Sequence, residues 1–269
     1  MDMQLKGRRA LVTGSSSGIG AEIARMLAAE GARVVVHGRD ARRAQAVVDE
    51  IATRGGQAVV VLGDLTSAED AERVIVEATS AFDGIDILVN SVGGSANVAR
   101  PDWFDTPLDE WQQNFENNTL APVRLIRALV PAMRERGWGR IIQISSRNAI
   151  SPHAQFPGYG AAKAALNNLT LSLSKGLAGT GVTSNGIMPG LIYTPQLDEW
   201  FLETARREFG TEDRDQGRDF VLKHVVRQTV DRSGQPRDIA AAAVYLASPL
   251  SDFVTGTTIR IDGGATPTV

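Results

Sequence analysis

A tyrosine and a lysine stand four residues apart in the segment YGAAK, residues 159–163. On a helix, positions i and i+4 lie on one face, one turn apart, so the phenol of Tyr159 and the ammonium of Lys163 would lie side by side. A phenol ionises with an ordinary pKa of about 10, and a nearby positive charge lowers that value. The spacing suits proton transfer, and it also suits an ordinary helix surface, so other segments must distinguish the two.

A glycine-rich turn lies between the first strand pattern and the first helix pattern, in TGSSSGIG, residues 13–20. A dinucleotide pyrophosphate needs such a tight turn, a close approach of the backbone and a helix N-terminus that faces the anion. The spacing G-x-x-x-G-x-G differs from the better-known G-x-G-x-x-G, and a plain structural turn is the alternative. The candidate cofactor contacts in this turn are Gly14, Ser16, Ser17, Gly18, Ile19 and Gly20.

The end of the second strand pattern, VVVHGRD, bears on the choice of nucleotide. NAD sites commonly place a carboxylate here for the ribose, whereas NADP sites use a basic residue for the 2′-phosphate. Gly38 and Arg39 occupy the turn, and the nearest acid is Asp40. A guanidinium binds phosphate through paired, charge-assisted hydrogen bonds. The pattern favours NADP(H), with NAD(H) as the alternative. Arg39 could also be a solvated turn residue that has no contact with a nucleotide.

Two later strand ends carry weaker signals for a nucleotide. Asp64 and Leu65 follow the third strand and would offer a carboxylate and an apolar contact to adenine, while Asn90 ends the fourth strand before small residues such as Gly93. Asn and Gly at a strand end are also common turn residues. These positions support the cofactor hypothesis only together with the glycine-rich turn.

The composition excludes several classes of protein. The chain has 269 residues, 43% of them hydrophobic, a net charge of −3 and no cysteine. Disulfides, thiolate metal sites and cysteine nucleophiles are therefore excluded, and the charge gives no reason to expect a nucleic acid partner. The three histidines are scattered, so we expect no metal site. No apolar run has the length of a membrane span, and we expect a cytoplasmic protein without a membrane partner.

Short Val- and Ile-rich segments alternate with helix patterns along the whole chain. This alternation predicts an α/β protein with a parallel sheet covered by helices on both faces. The composition shows no break or linker, so residues 1–269 are predicted to form a single domain. The charged and aromatic segment at about 194–230 is predicted to form one or two helices that pack as a flap over the substrate side.

The ordered motifs TGSSSGIG, GDL, NSVG, NFENNTL, IQISS, YGAAK, IMPG and LIYT resemble the short-chain dehydrogenase/reductase family over essentially the whole chain. The resemblance implies a doubly wound Rossmann fold with a mostly seven-stranded parallel sheet. It also implies a catalytic tetrad at Asn118, Ser146, Tyr159 and Lys163, with Asn117 as the neighbouring candidate. The segment NSVG departs from the family's usual NNAG. The properties of any one subfamily therefore do not carry over directly to this chain.

The resemblance implies a role for each residue of the tetrad. Tyr159 would protonate a carbonyl oxygen or deprotonate an alcohol, and Lys163 would lower the pKa of that phenol and bind the nicotinamide ribose. Ser146 would hydrogen-bond the carbonyl oxygen, and Asn118 would distort its helix and hold a water that relays protons. Further nicotinamide contacts are implied at Pro189, Gly190, Ile192 and Thr194.

The sequence indicates the substrate contacts and the oligomeric state less clearly than the cofactor site. His153 lies in a loop that usually borders the substrate, and Arg147 is bulky where the family often has a small residue; a solvated loop histidine and a surface salt bridge are the alternatives. The resemblance is nearest to 3-oxoacyl-(acyl carrier protein) reductases and implies a ketoreductase. An NAD-linked dehydrogenase of a sugar, steroid or other secondary alcohol and a non-catalytic dinucleotide-binding regulator are the alternatives. Members of this size are commonly homotetramers, sometimes homodimers.

Overall fold

The computed structural model describes residues 1–94 and 102–267. Its centre is one sheet of seven parallel strands, as predicted, and the strands stand in the order β3-β2-β1-β4-β5-β6-β7. The order reverses between β1 and β4, so a crevice opens at the carboxyl ends of these two strands. The strands are β1 (Arg9–Val12), β2 (Arg33–Gly38), β3 (Gln57–Leu62), β4 (Ile87–Asn90), β5 (Gly139–Ile144), β6 (Val182–Pro189) and β7 (Thr258–Ile261).

Helices connect the strands and cover both faces of the sheet. A π-helical turn (Glu116–Leu120) joins α4 to α5, and a second one (Val221–Val226) follows α8. Short 3₁₀ turns occur at 103–105, 147–149 and 249–251. The α-helices are α1 (Gly18–Ala29), α2 (Ala41–Thr53), α3 (Ala68–Phe82), α4 (Leu108–Phe115), α5 (Ala121–Glu135), α6 (Pro157–Gly176), α7 (Gln196–Phe209), α8 (Arg214–Phe220) and α9 (Pro236–Ala247).

Helix starts follow local capping chemistry. Asp40 accepts a hydrogen bond from the backbone N–H of Arg43 at 3.0 Å, which satisfies an otherwise unpaired donor at the start of α2. Ser67 does the same for α3 through the N–H of Asp70 at 3.3 Å. Helix α1 begins at Gly18, so the last glycines of the glycine-rich turn are already helical.

Two apolar cores lie on opposite faces of the sheet. One joins the sheet to α1, α2 and α9, and the other joins it to α3, α5 and the end of α6. Side chains alternate between the two faces along each strand, and at the carboxyl ends the second face becomes polar. His37, Asn90 and Gln143 continue the rows of Val35, Leu88 and Ile141 and are buried there. We call these three residues the polar layer.

The predicted flap contains two helices, α7 and α8, and the π-helical turn that follows them. It has a small core of its own, in which Phe201, Val221 and Val226 pack near Ala265. The sequence also predicts a loop near residues 95–105 that bears on substrate choice, and residues 95–101 of it lie outside the described ranges. In the ranges 1–94 and 102–267, no helix combines the length and apolar character needed to cross a membrane.

Candidate active site

The glycine-rich turn has the backbone that a dinucleotide phosphate requires. Gly14 and Gly18 have φ angles of 65° and 56°, which favour glycine. A Cβ on Gly20 would lie 2.5 Å from the carbonyl oxygen of Gly14, so the start of α1 packs directly on the turn. The N-cap residue Ser17 makes no side-chain cap. The first N–H groups of the 12-residue helix α1 therefore remain available for an anion.

A cavity of about 680 Å³ extends from this turn along the carboxyl ends of the strands. Its size and its position at the switch in strand order suit a dinucleotide. The predicted cofactor residues that line it are Gly14, Ser16, Ser17, Arg39, Asp64, Leu65 and Gly93. The opposite wall comes from α4 and the turn after it, through Asp109, Glu110, Gln113 and Asn117.

Arg39 and Asp64 face each other across the adenosine end of this cavity. A guanidinium nitrogen of Arg39 lies 3.6 Å from the Asp64 carboxylate, and the Arg39 side chain is 79% exposed. The backbone N–H of Thr66 lowers the pKa of Asp64, although burial opposes this effect. Leu65 is 2% exposed and packs into the second core, so its side chain serves mainly the fold.

Ser146 and Tyr159, two residues of the predicted tetrad, lie next to each other. Ser146 follows β5 at the start of a 3₁₀ turn, where its hydroxyl accepts a hydrogen bond from the N–H of Asn148 at 3.2 Å. Tyr159 lies in the first turn of α6. Burial raises the pKa of Tyr159, and a hydrogen bond with the Ser146 side chain opposes the rise. The two hydroxyl groups are therefore close enough to share one substrate oxygen.

Lys163 lies one turn further along α6 and is buried. Its Nζ donates a hydrogen bond to the carbonyl oxygen of Ile144 at 2.7 Å and lies 5.8 Å from the centre of the Tyr159 ring. Burial lowers the pKa of Lys163 to about 7. Burial dominates the pKa of Tyr159, so the lowering of that pKa by Lys163 remains a prediction.

Asn118 lies in the first π-helical turn and is fully buried, so the predicted distortion of its helix is observed. Such turns are frequent at functional sites. Its side-chain oxygen accepts from the N–H of Gly94 at 3.1 Å, and its amide nitrogen donates to the carbonyl oxygens of Gly94 at 3.1 Å and Asn114 at 3.0 Å. A Cβ on Gly93 would lie 2.6 Å from the Asn118 oxygen and 3.0 Å from Lys163 Nζ. Asn118 thus fixes the loop after β4 against Lys163.

We expect Asn118→Ala to lower kcat by about 10- to 100-fold, because the loop at Gly94 loses its anchors and shifts beside Lys163. Steady-state kinetics at saturating nucleotide measure the loss. Gln112→Ala changes an exposed amide on the neighbouring α4 and serves as the matched control. Equal activity in the two variants would show that the anchor at Asn118 is dispensable.

The remaining predicted cofactor residues lie outside the wall of the cavity. Gly18, Ile19 and Gly20 start α1, and Asn90 belongs to the polar layer, where neither end of its amide has a partner among the described residues. Gly190 follows β6 and donates its N–H to Ile261 at 3.0 Å, and Ile192 pairs with Gly234. Thr194 is exposed just before α7. Pro189, Gly190, Ile192 and Thr194 thus form the connection from β6 to the flap.

The two predicted substrate residues have different surroundings. Arg147 is half-buried and donates to the carbonyl oxygen of Val226 at 3.2 Å, so it links the turn after Ser146 to the end of the flap. It forms no salt bridge with a carboxylate in the described ranges. His153 is exposed, and its Nδ1 accepts from the N–H of Gln155 at 3.2 Å. These contacts match a loop-stabilising role for His153.

Two residues with clear contacts at the site had not been identified from the sequence. The hydroxyl of Thr13 accepts from the N–H groups of Ser91 at 2.9 Å and Val92 at 3.0 Å, which ties the glycine-rich turn to the loop after β4. His37 contacts the same turn from β2. The position of Thr13 directly before the first glycine was a usable signal, whereas the contacts of His37 depend on the register of the sheet.

The fold, the phosphate-binding turn and the Ser-Tyr-Lys arrangement define an NAD(P)-dependent oxidoreductase that acts on a carbonyl or the corresponding alcohol. The model of the family described as enoyl-(acyl carrier protein) reductase matches residues 14–266. The chain belongs to the short-chain dehydrogenase/reductase family.

Three relatives illustrate the range of this similarity. The chain is 34% identical over 263 residues to the 7alpha-hydroxysteroid dehydrogenase of Escherichia coli K12, covering 98% of this chain and 96% of the relative. It superposes with a TM-score of 0.91 and 32% identity on L-sorbose reductase of Gluconobacter frateurii in complex with NADPH and L-sorbose, covering 100% of both chains. For a 3-oxoacyl (acyl-carrier-protein) reductase of Agrobacterium tumefaciens with NADP bound, the TM-score is 0.84 and the identity is 33%, covering 98% of this chain and 96% of the reductase.

Proposed function

We propose that this chain is an NADPH-dependent reductase of a ketone carbonyl. The observation that carries the preference is the pair Gly38 and Arg39 at the end of β2: no carboxylate follows the strand directly, and the guanidinium lines the cavity. A 2′-phosphate at this place would meet Arg39 and could displace Asp64 from it. Two related structures, the L-sorbose reductase and the 3-oxoacyl reductase, hold NADPH and NADP, whereas a related 7α-hydroxysteroid dehydrogenase structure holds NADH.

The residues of the site suit carbonyl reduction. Bound nicotinamide would supply the hydride. Ser146 donates a hydrogen bond that holds the carbonyl oxygen, and Tyr159 delivers a proton to the oxygen as negative charge develops there. The raised pKa of Tyr159 keeps the phenol protonated at neutral pH, which is the form that reduction requires. Lys163 holds a proton beside the phenol and takes its position from Ile144.

For Asn118 we propose a smaller part in proton relay than the family resemblance implies. Both N–H bonds of its side-chain amide are already used, by Gly94 and Asn114. A relay water would therefore have to donate to an oxygen, either the side-chain oxygen or a backbone carbonyl near the π-helical turn. Asn118 acts mainly by holding the shape of this wall.

Two substrate classes are worth testing first. The sequence motifs favour a 3-oxoacyl thioester. The TM-score of 0.91 over the whole of L-sorbose reductase supports a ketose as the second candidate. Oxidation of NADPH, followed by absorbance with 3-oxoacyl thioesters, ketoses and oxosteroids in parallel, decides among them. A chain that binds NADPH and reduces none of these classes would favour the alternative of a non-catalytic dinucleotide-binding regulator.

We further propose a cytoplasmic homotetramer, or a homodimer, built from single-domain subunits. A groove of about 370 Å³ between α5 and α6 supports this assembly, because apolar side chains of Val123, Ile126, Leu169 and Leu173 line it. Leu171 is 46% exposed on α6 and would be covered by a second copy. Light scattering after size-exclusion chromatography measures the mass of the assembly, and a monomer would refute it.

The nucleotide preference is tested at Arg39. We expect Arg39→Ala to raise the KM for NADPH by about 10- to 100-fold and to leave the KM for NADH nearly unchanged, because only NADPH carries the 2′-phosphate. Steady-state kinetics with both nucleotides give the ratio. Arg54→Ala, at the opposite end of α2, removes an exposed arginine and controls for net charge. A wild-type enzyme that strongly prefers NADH would refute the preference outright.

A further inference from the structure

His37 contacts the glycine-rich turn through its backbone N–H, its backbone carbonyl oxygen and one ring nitrogen. It belongs to the polar layer and is only 2% exposed. Its backbone N–H donates to the hydroxyl of Ser15 at 2.9 Å, and its carbonyl oxygen accepts from the N–H of Ser15 at 2.8 Å. The Ser15 hydroxyl in turn donates to Val12 at 2.6 Å. The end of β2 is therefore joined to the turn through the backbone groups of His37 and both the N–H and the hydroxyl of Ser15.

The imidazole ring adds two contacts that join separate walls of the cavity. Nδ1 lies 3.3 Å from the backbone nitrogen of Gly14, and Nε2 lies 3.2 Å from the carbonyl oxygen of Gly63. Since the N–H of Gly14 can only donate, Nδ1 must accept and Nε2 must carry the proton that is donated to Gly63. One neutral tautomer satisfies both contacts.

The surroundings keep the ring in that neutral form. Burial lowers the pKa of His37 to about 4; the hydrogen bond with Gly63 and the charge of Asp64 oppose this effect more weakly, and Arg39 lowers the pKa further. At physiological pH the ring is therefore uncharged, and Nδ1 remains free to accept. Both ring contacts point to positions that matter for a nucleotide, since Gly14 opens the phosphate-binding turn and Gly63 precedes Asp64.

We propose that His37 is a positioning residue for the cofactor, which fixes the phosphate-binding turn relative to the loop that carries Asp64. This inference rests on the proposed dinucleotide-dependent function. The Gly14 contact adds to the Ser15 contacts in orienting the turn, whose glycines have high conformational freedom. The Gly63 contact fixes the spacing between the phosphate and adenosine subsites. His37 thus acts on nucleotide affinity and leaves the hydride and proton transfers to other residues.

Two amide substitutions separate the ring contacts. The side-chain oxygen of Asn can replace Nδ1 and the side-chain amide of Gln can replace Nε2, so His37→Asn keeps the Gly14 contact and His37→Gln keeps the Gly63 contact. We expect His37→Gln and His37→Phe to weaken nucleotide binding by about tenfold, and His37→Asn to weaken it by about threefold or less. The change in intrinsic tryptophan or NADPH fluorescence on titration gives the Kd without any substrate.

The matched readouts distinguish positioning from a purely structural role. At saturating nucleotide, kcat should stay within about twofold of the wild-type value in every variant that folds, because the catalytic residues are unaffected. His224→Phe changes an exposed ring beside Phe220 and is the control. The titration uses whichever of NADPH and NADH binds the wild type more tightly, so a wrong nucleotide preference does not affect it. A wild type that binds neither nucleotide would refute the proposed function and this inference together.

Two results would overturn the inference while the proposed function stands. One is a Kd for His37→Gln equal to the wild-type value. The other is an equal loss of affinity in the Asn and Gln variants that follows an equal loss in Tm, which would assign His37 to packing. If His37→Phe fails to fold, the comparison of the two amides still decides.

Discussion

Replacing Tyr159 by Phe is expected to lower kcat by about 10³-fold or more, because the variant keeps the aromatic ring and loses the proton that the carbonyl oxygen must receive. The affinity for NADPH should change by no more than about twofold, since the phenol lies at the substrate side of α6 and far from the phosphate-binding turn. The measurement combines steady-state turnover of the best substrate with a fluorescence titration of NADPH.

Tyr245→Phe is the matched control for this change. Tyr245 lies on α9 and is 37% exposed, away from Ser146 and Lys163. Removing its hydroxyl should leave kcat and the Kd for NADPH unchanged. If Tyr159→Phe retained a tenth or more of the wild-type kcat, the phenol would not be the acid, and another proton donor near Ser146 would have to be sought.

The second large effect is expected at Lys163, where one substitution should lower catalytic activity and raise thermal stability. Lys163→Met should lower kcat/KM by about 10²-fold or more, because the amine no longer holds a proton and a nucleotide contact beside Tyr159. The same change should raise the Tm of the protein without nucleotide by about 3 °C, because a buried amine without a carboxylate partner is replaced by an apolar chain of similar length.

The pH dependence of stability tests the second part. The folded protein loses the Lys163 proton near pH 7, whereas the unfolded chain keeps it to about pH 10. Between these values the unfolded state binds more protons, so the lysine makes the free energy of unfolding rise with pH. The stability advantage of Lys163→Met should therefore be largest at pH 7 and below, and should shrink as the pH rises toward 10.

Chemical denaturation at several pH values measures this difference. Lys175→Met changes an exposed lysine on the same helix and should show no such trend. A constant stability difference from pH 6 to pH 10 would mean that Lys163 is charged in the folded protein. In that case the amine must have a partner that offsets its burial.

The parts of the fold that could be predicted from the sequence are those with local causes. Asp40 caps the helix that follows it, and the Val- and Ile-rich strands must be buried on both faces, so a parallel sheet covered by helices followed from the pattern, while the number of seven strands came from the family resemblance. The candidate tetrad came from the family resemblance. The structure brings Ser146, Tyr159 and Lys163 to the carboxyl ends of β5 and the facing side of α6, where their roles remain to be tested.

Other features depend on contacts between distant parts of the chain. The ring partners of His37 are 23 and 26 residues away, and the sequence gives no direct measure of the register that brings them together. The low pKa of Lys163 arises from its burial, which a helix pattern cannot predict. The family resemblance implied that Asn118 holds a water. Its side-chain amide instead donates hydrogen bonds to Gly94 and Asn114, which the local sequence does not predict.

The two faces of the sheet differ in the polarity of their buried side chains. The core under α1, α2 and α9 is mostly apolar along the strands, with Arg140 and Asn185 as buried, hydrogen-bonded exceptions. The face under α3, α5 and α6 ends in the polar layer and carries Lys163 on its covering helix. Apolar side chains make no directional bonds, so substitutions in the apolar part of the first core must mainly preserve volume. Substitutions on the second face must also preserve hydrogen-bond geometry and charge. New substrate specificities should therefore arise through the loops and the flap, while the polar face stays nearly fixed and the apolar face varies within its volume.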